Sequence, residues 1–414
     1  MRWTHKKLEL LASNERHSFI GGPFGSKLTS RDYVDHGVPV IRGSNLNNGR
    51  YLDMKDFVYV TDSKVREDLS SNLAKPLDLV FTQRGTLGQV AIIPDDGVSD
   101  RYVVSQSQMK LTVDDAKADR LFLYYYFSSR QVIERITNFT SSSGVPHINL
   151  TVLRNFEVPV PPLETQNRIA SILSAYDDLI ENNRRRIQLL EQAVRLLYKE
   201  WFVHLRFPGH EHVKIKGGAP EGWEKKKIAD VCETVGGGTP STKVSEYWGG
   251  DITWVVPSDI TKNDCLTLLD SERKVTEKGL RESSAKMVPA ESILMTSRAS
   301  VGFFALMDYA VCTNQGFINI IPHEYEMRMY LLFNLMSRVE EIRSNAKGTT
   351  YPEISKGRFR EMSVVVPTKI LINEFAEFAN DVIRQVRILK KTTLKLERAR
   401  DLLLPRLMNG EVAA

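Results

Sequence analysis

The sequence predicts an α+β protein built by duplication, in which a globular domain followed by a long helix occurs twice. Three observations indicate this fold class: two long amphipathic segments, strand-like runs that alternate with short helical ones, and the same motifs in the same order in both halves. The chain has 414 residues, enough for two or three domains. We expect the two long helices to form an antiparallel coiled coil, with a pseudo-twofold relation between the halves.

The first long helix is predicted between Pro161 and Pro208. Proline is tolerated in the first turn of a helix but cannot continue one. About 40 helical residues with a rise of about 1.5 Å each give a rod about 60 Å long. Steps of three and four predict a narrow apolar stripe, interrupted by the polar Asn183, along these positions: Ile169, Ile172, Tyr176, Leu179, Ile187, Leu190, Val194, Leu197 and Trp201.

The second long helix is predicted from Ile372 to the C-terminal region, and its stripe includes two polar residues, Thr393 and Arg400. Stripes this narrow and sustained favour pairing of the two helices with each other. The alternative is that each amphipathic helix covers a separate domain. The apolar positions are Ile372, Phe375, Ala379, Val382, Val386, Leu389, Leu396, Leu403 and Leu407.

The two globular regions share a series of motifs. The pattern Thr-x-Arg-x-x-x-Gly occurs at residues 82–88 and again at 296–302, each time after a strand-like run. A short helix, a glycine-containing loop and a β-rich run then follow in each half. These motifs place a first domain at 1–160, the first long helix at 161–208, a second domain at 209–367 and the C-terminal helix at 368–414.

Composition limits the possible classes of protein. The formal net charge is +5 and the pI is about 8.9, which is compatible with nucleic-acid binding but not diagnostic of it. The three cysteines are too far apart for a metal site or a disulfide framework, so we expect a cytoplasmic protein. The most apolar long window, 293–311, contains Arg298 and Asp308, so we expect no membrane-spanning helix.

Motifs for catalysis are not convincing. The glycine cluster at 236–238 is followed by Pro240 rather than by a helix, so it lacks a phosphate-binding setting. Asp95 and Asp96 lie in PDDG, which is typical of a turn rather than of a nuclease carboxylate pair. Three histidines lie in a linker without the spacing of metal ligands: His204, His210 and His212.

Several segments resemble the DNA-specificity subunit of type I restriction-modification systems. The most telling are LLYKEWFVHLRFPG at the end of the first long helix and LLLPRLMNGEV near the C-terminus. VPVPPLETQNRIASIL, which enters the first long helix, and the segments TQRGTLG and SSSGVPHI add support. The second helix departs from the pattern, because VVVPTKILINEF lacks the PPLETQ lettering. The two helices therefore need not present identical docking surfaces.

The resemblance implies that the globular regions are target-recognition domains, each reading one half of a split DNA site. It implies that the helices set the spacing and dock two methyltransferase subunits, which bind S-adenosylmethionine and methylate adenine. Two restriction subunits, which use ATP and Mg²⁺, would complete the complex, and this chain would be non-catalytic and hold no cofactor. A coiled-coil scaffold that does not read sequence, and an enzyme acting alone, are the alternatives.

DNA readout requires arginine, lysine or amide side chains on exposed loops. Arg84 with Gln83, and Arg298 with Ser297, follow a strand in the repeated pattern, and arginine can bridge two acceptors of guanine. The alternative is a structural arginine that pairs with a carboxylate inside each domain.

Further candidates follow the matching strands and lie in the polar loops. Gln106 and Gln315 have amides that suit adenine, although a satisfied polar core is the alternative. The remaining candidates are in small polar loops that suit phosphate contacts and also occur as plain surface turns. They are Ser26, Lys27, Ser143, His147, Thr239, Ser241, Lys347, Thr349 and Tyr351.

Overall fold

The computed structural model describes residues 3–46, 49–139, 146–348 and 351–412. It divides into two compact units, of which unit 1 comprises Met1–Ile180 with Lys395–Ala414 and unit 2 comprises Glu181–Leu394. Each unit therefore contains one globular domain and one end of each long helix. Over the described ranges, no helix is long and apolar enough to cross a membrane.

Unit 1 contains ten strands and the beginning of the first long helix within its described residues. The strands are β1 (Thr4–Lys7), β2 (Phe19–Gly21), β3 (Val38–Ile41), β4 (Val58–Val60), β5 (Leu73–Ala74), β6 (Leu79–Thr82), β7 (Val90–Ile92), β8 (Tyr102–Val104), β9 (Gln108–Leu111) and β10 (Glu157–Val160). The helices are α1 (Asp62–Lys64), α2 (Arg120–Ser128), α3 (Arg130–Asn138), α4 (Leu150–Arg154) and α5 (Leu163–Tyr198), the last of which continues into unit 2.

Unit 2 contains twelve strands and the end of the first long helix within its described residues. The strands are β11 (Ile215–Lys216), β12 (Ala219–Pro220), β13 (Glu224–Lys227), β14 (Cys232–Gly236), β15 (Trp248–Val255), β16 (Lys274–Val275), β17 (Met287–Val288), β18 (Ile293–Thr296), β19 (Phe304–Leu306), β20 (Val311–Thr313), β21 (Phe317–Pro322) and β22 (Ser363–Val366). The helices are α6 (Ile228–Val231), α7 (Pro257–Thr261), α8 (Glu277–Arg281), α9 (Met327–Ser337), α10 (Val339–Ser344), α11 (Lys356–Arg360) and α12 (Lys369–Met408).

Two four-stranded sheets form the body of each unit, and their strand orders match. Unit 1 has the orders β2-β9-β6-β7 and β4-β3-β8-β5, whereas unit 2 has β14-β21-β18-β19 and β16-β15-β20-β17. A parallel pair, β3 with β8, is repeated as β15 with β20. Even a left-handed backbone position recurs, at Leu77 (φ 71°) and Glu291 (φ 63°). The predicted α+β duplication is therefore confirmed.

A strand pair closes each globular domain where its long helix begins. In unit 1, β1 pairs with β10 so that Thr4 faces Val160, the residue immediately before the first proline of the helix start. In unit 2, β13 pairs with β22 so that Glu224 faces Val366. In unit 1 the first and last strands of the domain are thus neighbours in one antiparallel ladder, and β13 and β22 form the equivalent ladder in unit 2.

The long helices pair in unit 1 through a small polar centre and an apolar contact. Asp177 of α5 accepts hydrogen bonds from Arg400 of α12 and from the hydroxyl of Tyr125, both at 2.6 Å. Burial and the neighbouring carboxylate raise the pKa of Tyr125 far above its usual value, so that it remains a donor. Leu173 packs in the same cluster as Leu404 of the second helix.

In unit 2 the pairing involves the other ends of the same helices. The rings of Tyr198 and Phe375 lie 6.0 Å apart, near the end of α5 and the start of α12. Further from these ends, Glu191 accepts a hydrogen bond from the Leu266 amide, and Lys390 pairs with Asp264 in the same loop. The contacts run in opposite directions along the two helices, as the predicted antiparallel coiled coil requires.

The predicted apolar stripe is wrong in the first half of α5. Ile172 and Leu179 are 37% and 52% exposed, whereas their neighbours Leu173 and Ile180 are 0% and 3% exposed. Apolar residues occupy both positions of each pair, so periodicity alone could not choose between them. At these two positions the buried side chain lies one residue later than predicted, so Ile172 and Leu179 face solvent, whereas Ile169 is buried as predicted.

This difference predicts unequal effects of two adjacent substitutions. Leu173→Ala should lower the free energy of unfolding by about 2–5 kcal/mol, because it leaves a cavity at a buried site. Ile172→Ala should change it by less than about 1 kcal/mol, since that side chain is exposed. Urea denaturation followed by circular dichroism measures both, and equal losses would contradict the assigned stripe.

Candidate nucleic-acid interface

The Thr-x-Arg-x-x-x-Gly pattern forms the turn between two antiparallel strands in each unit, here called the arginine loop (residues 82–88 and 296–302). The threonine amide closes the turn, from Thr82 to the Gln89 carbonyl at 3.0 Å in unit 1. Gly88 has a φ of 84°, and a Cβ there would lie 2.7 Å from Ile133 of α3. Only glycine tolerates both conditions, so the glycine of the pattern is structural.

Unit 2 builds the same turn with the same two residues. The Thr296 amide donates to the Phe303 carbonyl at 2.9 Å. Gly302 has a φ of 85°, and a Cβ there would lie 3.0 Å from Val339 of α10. The position after the arginine is left-handed in both units, at Gly85 (φ 102°) and Ala299 (φ 60°). The arginines therefore sit on turns of the same shape.

Two neighbouring loops hold the arginine loop of unit 1. The Gln83 amide donates at 2.7 Å to Ser107, in the strand-end turn (residues 105–108). The Gln83 carbonyl accepts at 3.0 Å from Ile148, in the proline loop (residues 146–148), and Gly85 donates to Pro146 at 3.2 Å. The side chain of Gln83 is half-buried, while Arg84 is exposed.

Unit 2 repeats these bonds with almost the same lengths. The Ser297 amide donates at 2.7 Å to Gly316, in its strand-end turn (residues 313–317). The Ser297 carbonyl accepts at 3.0 Å from Ile354, in its proline loop (residues 351–354), and Ala299 donates to Pro352 at 2.9 Å. Ser297 itself is only 3% exposed, so it acts here through its backbone rather than as an exposed side chain.

A glycine loop (residues 21–28 in unit 1) completes the cluster. Gly22 donates to the Gln108 carbonyl at 3.0 Å, and a Cβ on Gly22 would lie 1.9 Å from the Ser105 carbonyl oxygen. The exposed Gln106 donates from its side-chain amide to the carbonyls of Gly25 at 2.6 Å and Leu28 at 3.2 Å. Gln106 therefore fixes the loop that carries Ser26 and Lys27, which are both exposed.

The glycine loop of unit 2 (residues 236–242) is held in the same way. A Cβ on Gly237 would lie 2.0 Å from the Asn314 carbonyl oxygen. Thr239 donates its hydroxyl to the side chain of Gln315, and Ser241 is exposed. Gln106 and Gln315 are both exposed, so neither belongs to a satisfied polar core.

The four loops of each unit form one surface, here called the loop face. Its proline loop carries His147 in unit 1 and Glu353 in unit 2, each in a backbone bridge with the arginine of its unit. Lys347 exchanges two backbone hydrogen bonds of 2.9 Å with Glu353, and Tyr351 is 72% exposed. Two further candidates, Ser143 and Thr349, lie outside the described residues.

The two arginines differ in their side-chain partners. Arg298 donates to Glu353 at 2.8 Å, and both side chains are 44% exposed. The hydrogen bond that Arg298 donates to the Glu353 carboxylate raises the pKa of Arg298. Within the part of the chain that the structure describes, Arg84 is exposed and has no side-chain hydrogen bond or ion pair. The structural alternative, pairing with a carboxylate, thus applies to Arg298 but not to Arg84.

Two residues on the loop faces were missed in the sequence. Phe24 is 85% exposed between Pro23 and Gly25, and an aromatic residue inside a Gly-Pro turn was a usable signal. Lys356, the first residue of α11, lies against Gly236, where its Nζ would be 3.2 Å from an added Cβ. The position of Lys356 depends on the tertiary path of the chain before β22, which no local sequence pattern predicts.

The loop faces carry exposed hydrogen-bond donors. Among the residues described, no group of three or more His, Cys, Asp or Glu side chains could hold a metal ion. The three cysteines are buried, and burial raises the pKa of Cys265 to about 12, so its thiol stays protonated. The exposed arginine, lysine, amide and hydroxyl groups are hydrogen-bond donors of the kind that contact phosphates and base edges.

A family model described as "Type I restriction modification DNA specificity domain" matches the chain twice, over residues 25–192 and 220–398. The chain belongs to this family. Each DNA-specificity match covers most of one globular domain and part of the long helix that follows it. The family match thus repeats in the same way as the sheets and the loop faces.

Curated members of the DNA-specificity family match different parts of the chain. The type I restriction enzyme MjaIX specificity subunit of Methanocaldococcus jannaschii is 37% identical over 189 residues, which is 44% of each chain. The HindI specificity subunit of Haemophilus influenzae is 25% identical over 89% of this chain and 94% of its own. A solved S subunit of a type I restriction-modification system from M. genitalium has the same fold, with a TM-score of 0.60 and 17% identity over 98% of this chain and 96% of its own.

Proposed function

We propose that this chain is the DNA-reading subunit of a type I restriction-modification complex in the cytoplasm, and that each unit reads one half of a bipartite site. The observation that carries the proposal is the repeated loop face. Its backbone is the same in both units, while its exposed side chains differ. A constant frame with variable side chains is what two modules need to approach DNA alike and read different sequences.

The proposed contacts divide by chemistry. Arg84 and Arg298 offer bidentate donors to a base edge, and Gln83 can add an amide in unit 1. Gln106 and Gln315 position the glycine loops and present their remaining polar groups to the DNA. The small polar and basic residues of the loops suit phosphate oxygens: Ser26, Lys27, His147, Thr239, Ser241, Lys347, Tyr351 and Lys356.

Methylation and cleavage would then belong to partner subunits. The modification subunit would bind S-adenosylmethionine and extrude the target adenine from the helix stack. The restriction subunits would use ATP and Mg²⁺. The role of this chain would be to hold each modification subunit over the correct base. Two such subunits require two docking surfaces.

The exposed apolar residues of the long helices support this docking. In unit 2, Leu189, Leu196 and Val203 are 55%, 53% and 54% exposed and follow one another at intervals of seven. A seven-residue interval places side chains on one face of a helix. Unit 1 has the same spacing in the exposed pair Ile172 and Leu179. We assign both surfaces to helices of modification subunits.

Mapping of methylated adenines tests the proposed function directly. The chain is co-expressed with a candidate methyltransferase subunit from the same organism, and methylated positions are mapped in the host DNA. We expect one motif of two short halves at a fixed spacing. A stable complex without methylation would contradict DNA reading and favour a scaffold, whose DNA binding would show no steep dependence on salt.

Substitution of one arginine should affect one half of the motif. Arg84→Ala should weaken binding by about 1–3 kcal/mol, a factor of roughly 5 to 150, because it removes a bidentate contact. The loss should disappear on a duplex whose first half is scrambled. Arg298→Ala is the matched variant, and its loss should depend on the second half instead. Fluorescence anisotropy at fixed salt measures both, and losses that ignore which half is scrambled would contradict the assignment.

The docking surface of unit 2 can be tested independently of DNA. Leu196→Asp should weaken association with the modification subunit at least tenfold, because it buries a charge in an apolar contact. Gln188→Asp is the control, since it adds the same charge to an exposed position about 100° from Leu189 around the helix. Analytical ultracentrifugation measures association, and equal effects of the two variants would contradict this surface.

A further inference from the structure

The proline loops place different side chains beside the same arginine. Arg84 is bridged to His147 and Arg298 to Glu353 in equivalent antiparallel backbone bridges. Pro146 and Pro352 precede the two bridged residues, and each proline carbonyl accepts from the residue after its arginine. Positions 147 and 353 are therefore equivalent in the frame, and only the second carries a carboxylate.

The ion pair of unit 2 is open to solvent rather than built into the core. Arg298 and Glu353 are both 44% exposed. Exposed ion pairs add little to stability, because water screens the charges and both side chains lose conformational freedom. The pair can therefore exchange its internal hydrogen bond for contacts with DNA at small cost.

Glu353 is nevertheless held firmly through its backbone. Its amide donates to Lys347 and its carbonyl accepts from Lys347, both at 2.9 Å. The next residue, Ile354, donates to Ser297 at 3.0 Å. These bonds fix the backbone position of Glu353, and its side-chain carboxylate then reaches Arg298. A carboxylate placed in this way is preorganised on the loop face.

The chemistry of the pair points to a base edge and away from phosphate. Arg298 uses one terminal nitrogen for Glu353, which leaves other N–H donors for guanine O6 and N7. The carboxylate has acceptor capacity beyond this single bond, and in the major groove the matching donors are the exocyclic amino groups of cytosine and adenine. The same negative charge repels a phosphate that approaches the arginine.

We propose that Glu353 is a specificity-determining residue of the second half-site. It keeps Arg298 off the phosphate backbone and accepts a hydrogen bond from an exocyclic amino group, either cytosine N4 or adenine N6, next to the base that Arg298 contacts. Unit 1 has no carboxylate at the equivalent His147, so Arg84 is not restricted in this way. This inference rests on the proposed function, because it assumes that the loop face meets DNA.

The test compares three variants of the chain in its complex with the modification subunit, on duplexes that carry the methylated motif. Each duplex has one base pair of the second half changed. Glu353→Gln should lose at least fivefold discrimination at one position, bind unrelated DNA several-fold more tightly, and steepen the dependence of affinity on salt by about one released counterion. The base at the position where discrimination is lost identifies the hydrogen-bond donor. A cytosine there indicates its N4 amino group, and an adenine indicates its N6 amino group.

Two controls separate this effect from a general change of charge. Glu361→Gln removes a carboxylate that pairs with Lys227 at 2.6 Å outside the loop face, and it should change neither discrimination nor the salt slope. His147→Glu installs the carboxylate in unit 1 and should weaken binding to unrelated DNA. Unchanged discrimination and salt slope in Glu353→Gln, with a wild-type complex that binds its motif, would overturn the inference alone. A wild-type complex without any bipartite motif would instead overturn the proposed function.

Discussion

The structure depends most on a few backbone hydrogen bonds that hold each arginine loop between two neighbouring loops. The bonds from Gln83 to Ser107 and from Ser297 to Gly316 are both 2.7 Å long, although the residues at equivalent positions of the two units differ. Amide and carbonyl groups are present in every residue except for the proline N–H, so such a frame tolerates changes of sequence. Its demands fall on the glycines, where a Cβ would collide with a carbonyl oxygen, as at Gly22 and Gly237.

Repetition and periodicity predicted the fold class and the antiparallel helices, and the repeated pattern placed the arginines on matching turns. The position of the buried stripe in α5 was not predictable, because Ile172 and Leu173 are both apolar and only the packing of the domain selects one of them. Likewise, the sequence predicts an exposed polar side chain at Ser297, yet the neighbouring loop buries it. The Arg298–Glu353 pair joins residues 55 positions apart, so no local pattern indicates it.

The long helices combine two kinds of apolar surface. One face is buried within each unit, where Leu173 and Phe375 have no exposed area. Another carries Leu189 and Leu196, which remain more than half exposed. The free-energy cost of exposing two leucines is small compared with the stabilisation from the apolar residues that the helix buries. The exposed leucines remain available for an apolar contact with another protein. A helix of this kind is stable within the chain and still available to a partner.

The strand pairs that close the domains have a consequence for how the gene can change by recombination. Thr4 faces Val160 and Glu224 faces Val366. The chain therefore enters and exits each globular domain through two adjacent, paired strands. A recombined gene segment that encodes a domain with the same two closing strands would fit between unchanged helices. The helices would keep their partners while the loop face was replaced. New sequence preferences could then arise by exchange of whole domains rather than by gradual change of single residues.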